Sequence, residues 1–548
     1  MTPDDTNRDS DPGHTFDPGT EEDRTRLFEY LVDITLERDA FASLADHPCY
    51  EEHPAGIDIV EEMERYREEL IEADTDEKLW FALRKISNAR RDRHLTVKTV
   101  DGGLTLTADR DRRVKVPIRF AVDYGDSSEF DYEDPEGWCF FVGDLSTDIE
   151  RVVEGPTPAV GDRLVAIRGC SVDEYVEEIR PYKRYSTEHA LWWLIADEIG
   201  QTWDEYYGHG RHLPHSEFYG HSLESLALEL ERPDGSRYGI ELPFIDPDEI
   251  DWQGHGDPTY PGFSPVDAGL EQFETIRDVY LPDNEDPSVI LLDWYGFRRD
   301  LPETMDRLIE FAEENDLLDC HVIVDATRSR GGSRGSYALQ RLQPQPHRGT
   351  FGNLKVSDAM AEWVADRIEG IESGKANPAT VDDGTWQREW LETDVQRAIE
   401  NDRRYTNDVP FKGAHAPKWS DGSIDPAPTH FRGGLTIWVG PHGGSHLDQF
   451  AAQVVDNNVG WMMGMPAGGY SSTWSYTETL RFPTTGAPIV EYQWSMGRSI
   501  RPNGETLQYN PAQPHECVPQ RRDNYRDYHA ELLERTFERL GIELPANR

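Results

Sequence analysis

The chain has 548 residues, more than one ordinary core accommodates, so two or three domains are expected. Hydrophobic residues make up 37% and aromatic residues 11%, enough to fill real cores and to exclude a globally disordered chain. The 105 acidic against 55 basic residues give a formal net charge of −50, a surface that repels phosphates and anionic lipids, so neither nucleic acid nor membrane is expected as a partner. The carboxylates are spread along the chain, and only nine of the basic residues are Lys. Together these features read as adaptation to molar salt, where screening removes the self-repulsion of such a surface.

The five cysteines (Cys49, Cys139, Cys170, Cys320, Cys517) form no Cys-x-x-Cys pair, so neither a disulfide framework nor a thiolate zinc site is expected. Residues 1–22 lack a basic start and an apolar run and read as a disordered acidic leader. No apolar run is long enough to cross a bilayer, and a cytoplasmic protein is expected.

Taken in chain order, residues 23–93 show apolar spacings of three and four, as in TRLFEYLVDITLERDAF and EKLWFALRKISNARRD, and predict a helical cap. At RDRHLTVKTV the period switches to alternation, which puts His94 where a helix hands over to a strand. Residues 94–245 read as strand-rich: RRVKVPIRFAVDY, WCFFVGDL, the strand–turn–strand–helix of AVGDRLVAIRGCSVDEYVEEI, and a hairpin with a DG turn in SLALELERPDGSRYGIELPF. A partly helical insertion lies between them, and the Pro/Gly/Asp-rich stretch 246–271 reads as a linker. From 272 to 548 strands alternate with helices (SVILLDWYG, LPETMDRLIEFAEENDLL, HVIVDA, GLTIWVG, SHLDQFAAQVVDN, VGWMMGM), predicting an α/β layer with parallel strands, interrupted at about 343–432 by a polar insertion. That insertion is expected to serve as a lid or as a contact between copies in a homo-oligomer.

Three constellations carry chemistry. Gly443-Gly444-Ser445 follows an apolar strand and opens a helix, where unpaired N–H groups and the helix dipole favour an oxyanion; the plainer reading of Ser445 is an N-cap. Gly331-Gly332-Ser333-Arg334-Gly335 matches G-x-S-x-G, but four residues separate it from its strand, so backbone donation by its glycines is the better use of this loop. His209, His212, His215 and His221, with Glu205 and Glu217 close by, are a candidate metal cluster, although Gly208, Gly210 and Pro214 favour a solvated loop.

Four strings, in this order, resemble the C-terminal-processing and tricorn-type serine peptidases. RDRHLTV is similar to their D-x-H-T, VGDRLVAIRGCSVDEYVEEI to the core of their PDZ-like module, and VIVDATRSRGG to their D-x-R-x-N-x-G-G turn. GPHGGSHLDQFAAQVVDNNVGWMMGMPAGGYSS is similar to their S-A-x-E helix with the strand and turn after it. The resemblance implies an α/β multidomain protein with an N-terminal helical cap, a PDZ-like β-rich module and a C-terminal α/β (crotonase-like) serine peptidase core. It further implies Ser445 as nucleophile, His94 as base and Asp448 at the motif's acidic position. The oxyanion hole would come from backbone N–H groups of Gly331 or Gly332 and of His446. No cofactor is implied, and the expected partner is a peptide or protein substrate.

Three departures accompany it. Tyr470 stands where one branch carries Lys, which leaves histidine as base; GETLQYNPAQPH puts Gln508 where the tricorn-type branch carries Glu and His515 where it carries Asp; and Arg93 replaces a small residue. Gln508 is thus the expected orienting residue, acting by hydrogen bond and not by charge. The alternatives these departures open are a catalytically inactive peptide-binding protein on the same fold, or an esterase using Ser333.

Overall fold

Short apolar strands alternating with amphipathic helices build the largest layer of the molecule. The computed structural model describes residues 16–42, 55–104, 114–128, 130–201, 225–284, 287–373, 385–401, 403–410, 422–471 and 474–545. A seven-stranded sheet runs in the spatial order Glu516–Cys517, Trp461–Gly464, Leu435–Val439, His321–Ala326, Val289–Trp294, Ile276–Pro282, Phe263–Val266. Its first five strands are parallel and its last two antiparallel.

Successive side chains of a strand point to opposite faces, so Ile290, Leu292, Val322 and Val324 enter one core while Val289, Leu291 and Ile323 enter another. The first core is closed by the helices Leu301–Glu314, Gly335–Leu342 and His446–Asp456 through Met305, Leu308, Leu339, Leu447 and Phe450; the second is closed by Leu532, Leu533 and Phe537 of the C-terminal helix Tyr528–Leu540. A parallel sheet covered on both faces is what runs such as HVIVDA, buried along almost their whole length, require.

A separate antiparallel sheet contains the strands Ile118–Asp123, Cys139–Leu145, Arg163–Ile167, Ser225–Glu231 and Arg237–Pro243, with Cys170–Ser171 paired at its margin. Helices Val172–Ile179 and Glu188–Glu198 bury Tyr175, Val176, Leu191, Trp192 and Ile195 against it. The DG hairpin forms as expected, with Glu231 opposite Arg237.

The N-terminal helices Glu21–Arg38 and Asp76–Asn88, each capped by a threonine (Thr20, Thr75), bury Leu27, Phe28, Leu31, Trp80, Leu83 and Ile86. What they bury these residues against is a hairpin from the far end of the chain, Ser475–Arg481 and Pro488–Ser495, through Ile489, Val490, Tyr492 and Trp494. The strand Val97–Thr99 joins that hairpin, pairing Val97 with Tyr492 and Thr99 with Val490.

One segment differs from expectation. Phe263–Val266, inside the stretch read as linker, is the edge strand of the large sheet, where a strand containing Pro265 is tolerated. The 343–432 insertion is stitched to the fold by Phe351–Leu354, which pairs with Gly497–Ile500, and by Trp390 and Leu391 packed beside Trp474 and Met496. The His209–His221 cluster lies outside the described residues, and among the described residues no group of His, Cys, Asp and Glu is arranged to hold a metal. No helix among them is long and apolar enough to cross a membrane.

Candidate active site

Ser445 ends the turn between the strand Leu435–Val439 and the helix His446–Asp456. Its φ of 60° and ψ of −113° are a sparsely populated combination for a residue with a side chain, a strain of roughly 1–3 kcal/mol that the surroundings must hold. They do so on both sides: the Ser445 N–H donates to the Tyr470 carbonyl at 2.6 Å, and Gly468 N–H donates to Gly443 O at 2.8 Å. Ser445 makes no side-chain cap to its own helix. Its hydroxyl instead lies 3.0 Å from Nε2 of His94, 351 positions earlier in the sequence.

His94 is held by the segment between the helix Asp76–Asn88 and the strand Val97–Thr99. Buried Arg90 fixes that segment: its guanidinium donates to Gln493 O at 2.9 Å, stacks on Tyr492 and Trp494, and pairs with Asp39 at 3.5 Å, while its own carbonyl accepts from Tyr509 Oη at 2.8 Å. On the other side Thr96 binds Gln493 Oε1 through both its N–H and its hydroxyl. Asp92, 2% exposed, accepts the His94 N–H at 2.9 Å and places Oδ1 3.7 Å from His94 Nδ1. Asp92 is therefore the carboxylate facing the ring nitrogen that points away from the serine. The reading of the sequence overlooked it, although the D-x-H spacing was in view: an Asp whose oxygen takes the N–H two residues on is pre-set beside the intervening loop.

Gln508, expected to orient a neighbouring hydroxyl or imidazole by hydrogen bond, accepts Ser471 N–H at 2.6 Å and donates to Ser186 Oγ at 3.2 Å. Its bonds brace the turn that carries Tyr470, so it meets the site through backbone. The Tyr470 ring stands edge-on to His94 at 5.2 Å, with the Arg93 guanidinium 5.0 Å from its centroid. His515 lies on Trp461 and bonds the Met462 backbone, at the sheet edge. Asp448 is fully buried and accepts the N–H groups of Gly469 and Tyr470 at 3.0 and 3.1 Å; burial pushes its carboxyl up to about 7 against the pull of those bonds.

The glycine loop reaches the serine by a different route. Buried Asp325 ends its strand and accepts from Tyr260 Oη and Thr327 Oγ1, both at 2.6 Å, while His529 pairs with it at 3.4 Å. From that anchor the chain forms Arg330–Gly332, paired parallel with Gly296–Phe297. A Cβ on Gly331 would sit 2.7 Å from Ser445 Cβ and 3.3 Å from the His446 nitrogen, so only glycine lets this strand lie against Ser445. Gly332, with φ of 154°, packs on the Phe297 carbonyl instead. The His446 imidazole accepts the Gly335 N–H at 2.5 Å, which makes Nε2 an acceptor and fixes the ring beneath the loop. Ser333 donates its N–H to Phe297 O, and among the described residues no imidazole lies within hydrogen-bonding distance of its hydroxyl.

No protein-family profile matches the sequence, and no curated protein matches it. Solved structures do. Mature CPAF complexed with lactacystin matches with a TM-score of 0.64 at 15% identity, over 95% of this chain and 98% of that one; mature CPAF alone matches with 0.64 at 14%, over 94% and 96%. Tricorn protease also matches, with a TM-score of 0.35 at 12% identity over 95% of this chain and 37% of that one. The likeness to mature CPAF is one of fold, and it runs over almost the whole of both chains.

Proposed function

We propose that the protein is a serine peptidase in which Ser445 is the nucleophile and His94 its general base. The observation that carries this reading is the 3.0 Å approach of His94 Nε2 to the hydroxyl of a serine in strained backbone. His94 takes the hydroxyl proton as Oγ attacks the peptide carbonyl, and the tetrahedral oxyanion forms beside the backbone nitrogens of His446 and Gly331. The imidazolium then protonates the leaving amine, and water repeats the sequence on the acyl-enzyme. Asp92 faces Nδ1 of His94 across 3.7 Å, on the side where positive charge develops as the proton is taken; Gln508, Tyr470 and Asp448 are positioning residues for the turn behind it.

The same proposal divides the chain into a helical cap (23–93), a PDZ-like part within 94–245 that receives the substrate peptide, and a crotonase-like core from 272 onward joined by the edge strand Phe263–Val266. The strand–turn–strand–helix of Arg163–Ile179 supports the PDZ-like assignment.

The test is labelling with a fluorophosphonate probe in molar KCl. Labelling of the wild type that vanishes in Ser445→Ala and survives in Ser333→Ala is expected. Survival in Ser445→Ala with loss in Ser333→Ala would transfer the site to Ser333. A folded wild type that does not label would make the protein an inactive peptide binder, the reading favoured by the length of the Asp92–His94 contact.

A further inference from the structure

Ser445 is not alone in standing at a helix N-cap without capping its helix. Thr187 precedes the helix Glu188–Glu198 of the antiparallel-sheet unit, and its side chain makes no cap bond there. A threonine in that position ordinarily accepts an N–H of the first turn. The hydroxyl of Thr187, fully buried, donates instead to the Gly468 carbonyl at 3.1 Å, 281 positions further along the chain.

Its neighbours point the same way. His189 is also fully buried, and its Nε2 donates to the Pro466 carbonyl at 3.0 Å. Burial pushes this imidazole down to about 4, so it remains a neutral donor at ordinary pH. Ser186 Oγ accepts from Gln508, which in turn holds the Ser471 N–H. Ser186–His189 is therefore tied to the start, the middle and the end of the turn 466–471. A Cβ on Gly469 would lie 2.7 Å from Thr187 Cγ2, so the turn packs on the threonine without a gap. The turn in its turn holds the proposed nucleophile: Gly468 N–H donates to Gly443 O, and Ser445 N–H donates to Tyr470 O.

The same segment also reaches the histidine loop. Arg91 Nη2 donates to Ser186 O at 3.2 Å, and Arg184 Nη1 donates to Arg93 O at 3.4 Å. Arg91, with φ of 48°, lies three positions before His94, and Arg93 immediately precedes it. Ser445 and His94, 351 positions apart, meet across 3.0 Å, and residues 184–189 are bonded to the supports of both.

We propose that Thr187 and His189 are positioning residues, whose donation to the Gly468 and Pro466 carbonyls sets the distance between Ser445 Oγ and His94 Nε2. The inference rests on the peptidase reading for the roles of Ser445 and His94. Each residue acts through the backbone of the turn and takes no part in the proton transfer itself. The antiparallel-sheet unit thereby holds part of the geometry of a dyad to which it contributes neither member.

Three variants test this. Thr187→Val keeps the shape of the side chain and removes the donor, Thr187→Ser keeps the donor, and His189→Phe removes the donation to Pro466 from a separate position. In fluorophosphonate labelling the amplitude counts folded molecules, whereas the rate constant reports the geometry of the site. Thr187→Val and His189→Phe should lower the rate constant by roughly ten- to a hundredfold, and Thr187→Ser should label close to the wild-type rate. With a peptide substrate the loss should fall on kcat and leave KM in place. Variants that lose amplitude but keep the wild-type rate constant would show a purely structural role and overturn the proposal. Should Thr187→Val fail to fold, His189→Phe decides by the same readouts.

An NMR titration of the His94 imidazole, assigned by its absence from His94→Gln, reads the contact without turnover. Ser445→Ala should shift the His94 midpoint, Thr187→Val and His189→Phe should shift it in the same direction, and Thr187→Ser should leave it in place. That pattern in a wild type that does not label would support the positioning role and reject the peptidase reading. A midpoint moved by Ser445→Ala but by neither Thr187→Val nor His189→Phe would reject the positioning role and leave the peptidase reading standing. A midpoint that Ser445→Ala does not move would overturn both.

Discussion

Gly331 is the residue through which the glycine loop touches Ser445. A methyl group there would meet Ser445 Cβ at 2.7 Å and the Gly444 carbonyl at the same distance, so the loop or the elbow must move apart. Gly331→Ala is expected to leave the far-UV spectrum unchanged and to slow fluorophosphonate labelling by roughly a hundredfold, the scale of one lost oxyanion donor. Labelling at the wild-type rate would show that the oxyanion is held elsewhere. Asp92→Asn tests the other end of the dyad. At 3.7 Å the carboxylate lies beyond hydrogen-bonding distance of His94 Nδ1, so the loss should stay below the roughly 10⁴-fold known for a tightly bonded triad aspartate. An unchanged pH–rate profile would remove Asp92 from the mechanism. Ser445 and His94 were candidates through the order of the family-like strings, since locally the serine reads as an N-cap; their 3.0 Å approach needed the structure. The partners of Gln508 were not legible, because the Ser471 N–H and the Ser186 hydroxyl are brought to it by the shape of a turn and not by any spacing of side chains.

At the scale of elements, the turn Gly468–Ser471 stands as a buttress behind Ser445, tied to the nucleophile helix by Asp448. Because burial raises the Asp448 carboxyl from 3.8 to about 7, the folded state holds a proton that the unfolded chain releases near pH 4. Its contribution to stability is therefore fully present below about pH 4 and declines as pH rises to about 7. The melting-temperature difference between wild type and Asp448→Asn should shift against the wild type across that window; a difference that stays flat would show that Asp448 is ionised throughout. The parallel strands were legible because each is a short apolar run followed by an amphipathic helix. The hairpin Ser475–Ser495 was not, since half of its first strand alternates with polar residues and its apolar face finds its partner more than 380 residues upstream, in the N-terminal helices. Phe263–Val266 was hidden for a related reason: four residues among glycines and prolines carry too little pattern to outweigh their surroundings.

For the whole molecule, charge sets the conditions of stability. With a net charge of −50, self-repulsion acts over about 10 Å at 0.1 M salt and about 3 Å at 1 M. The melting temperature is expected to climb steadily from 0.1 to 2 M KCl, and a protein equally stable at both ends would not be salt-adapted. Composition gives the charge directly, whereas the packing of residues 16–99 against the hairpin 475–495 needed the structure. That union has a consequence for how the protein is made. His94 leaves the ribosome some 350 residues before Ser445, yet the strand that fixes the histidine loop pairs with Pro488–Ser495, which is synthesised later still. A nascent chain can therefore carry both residues without a dyad, and the proposed protease stays silent toward itself and its neighbours until Pro488–Ser495 has been made and paired.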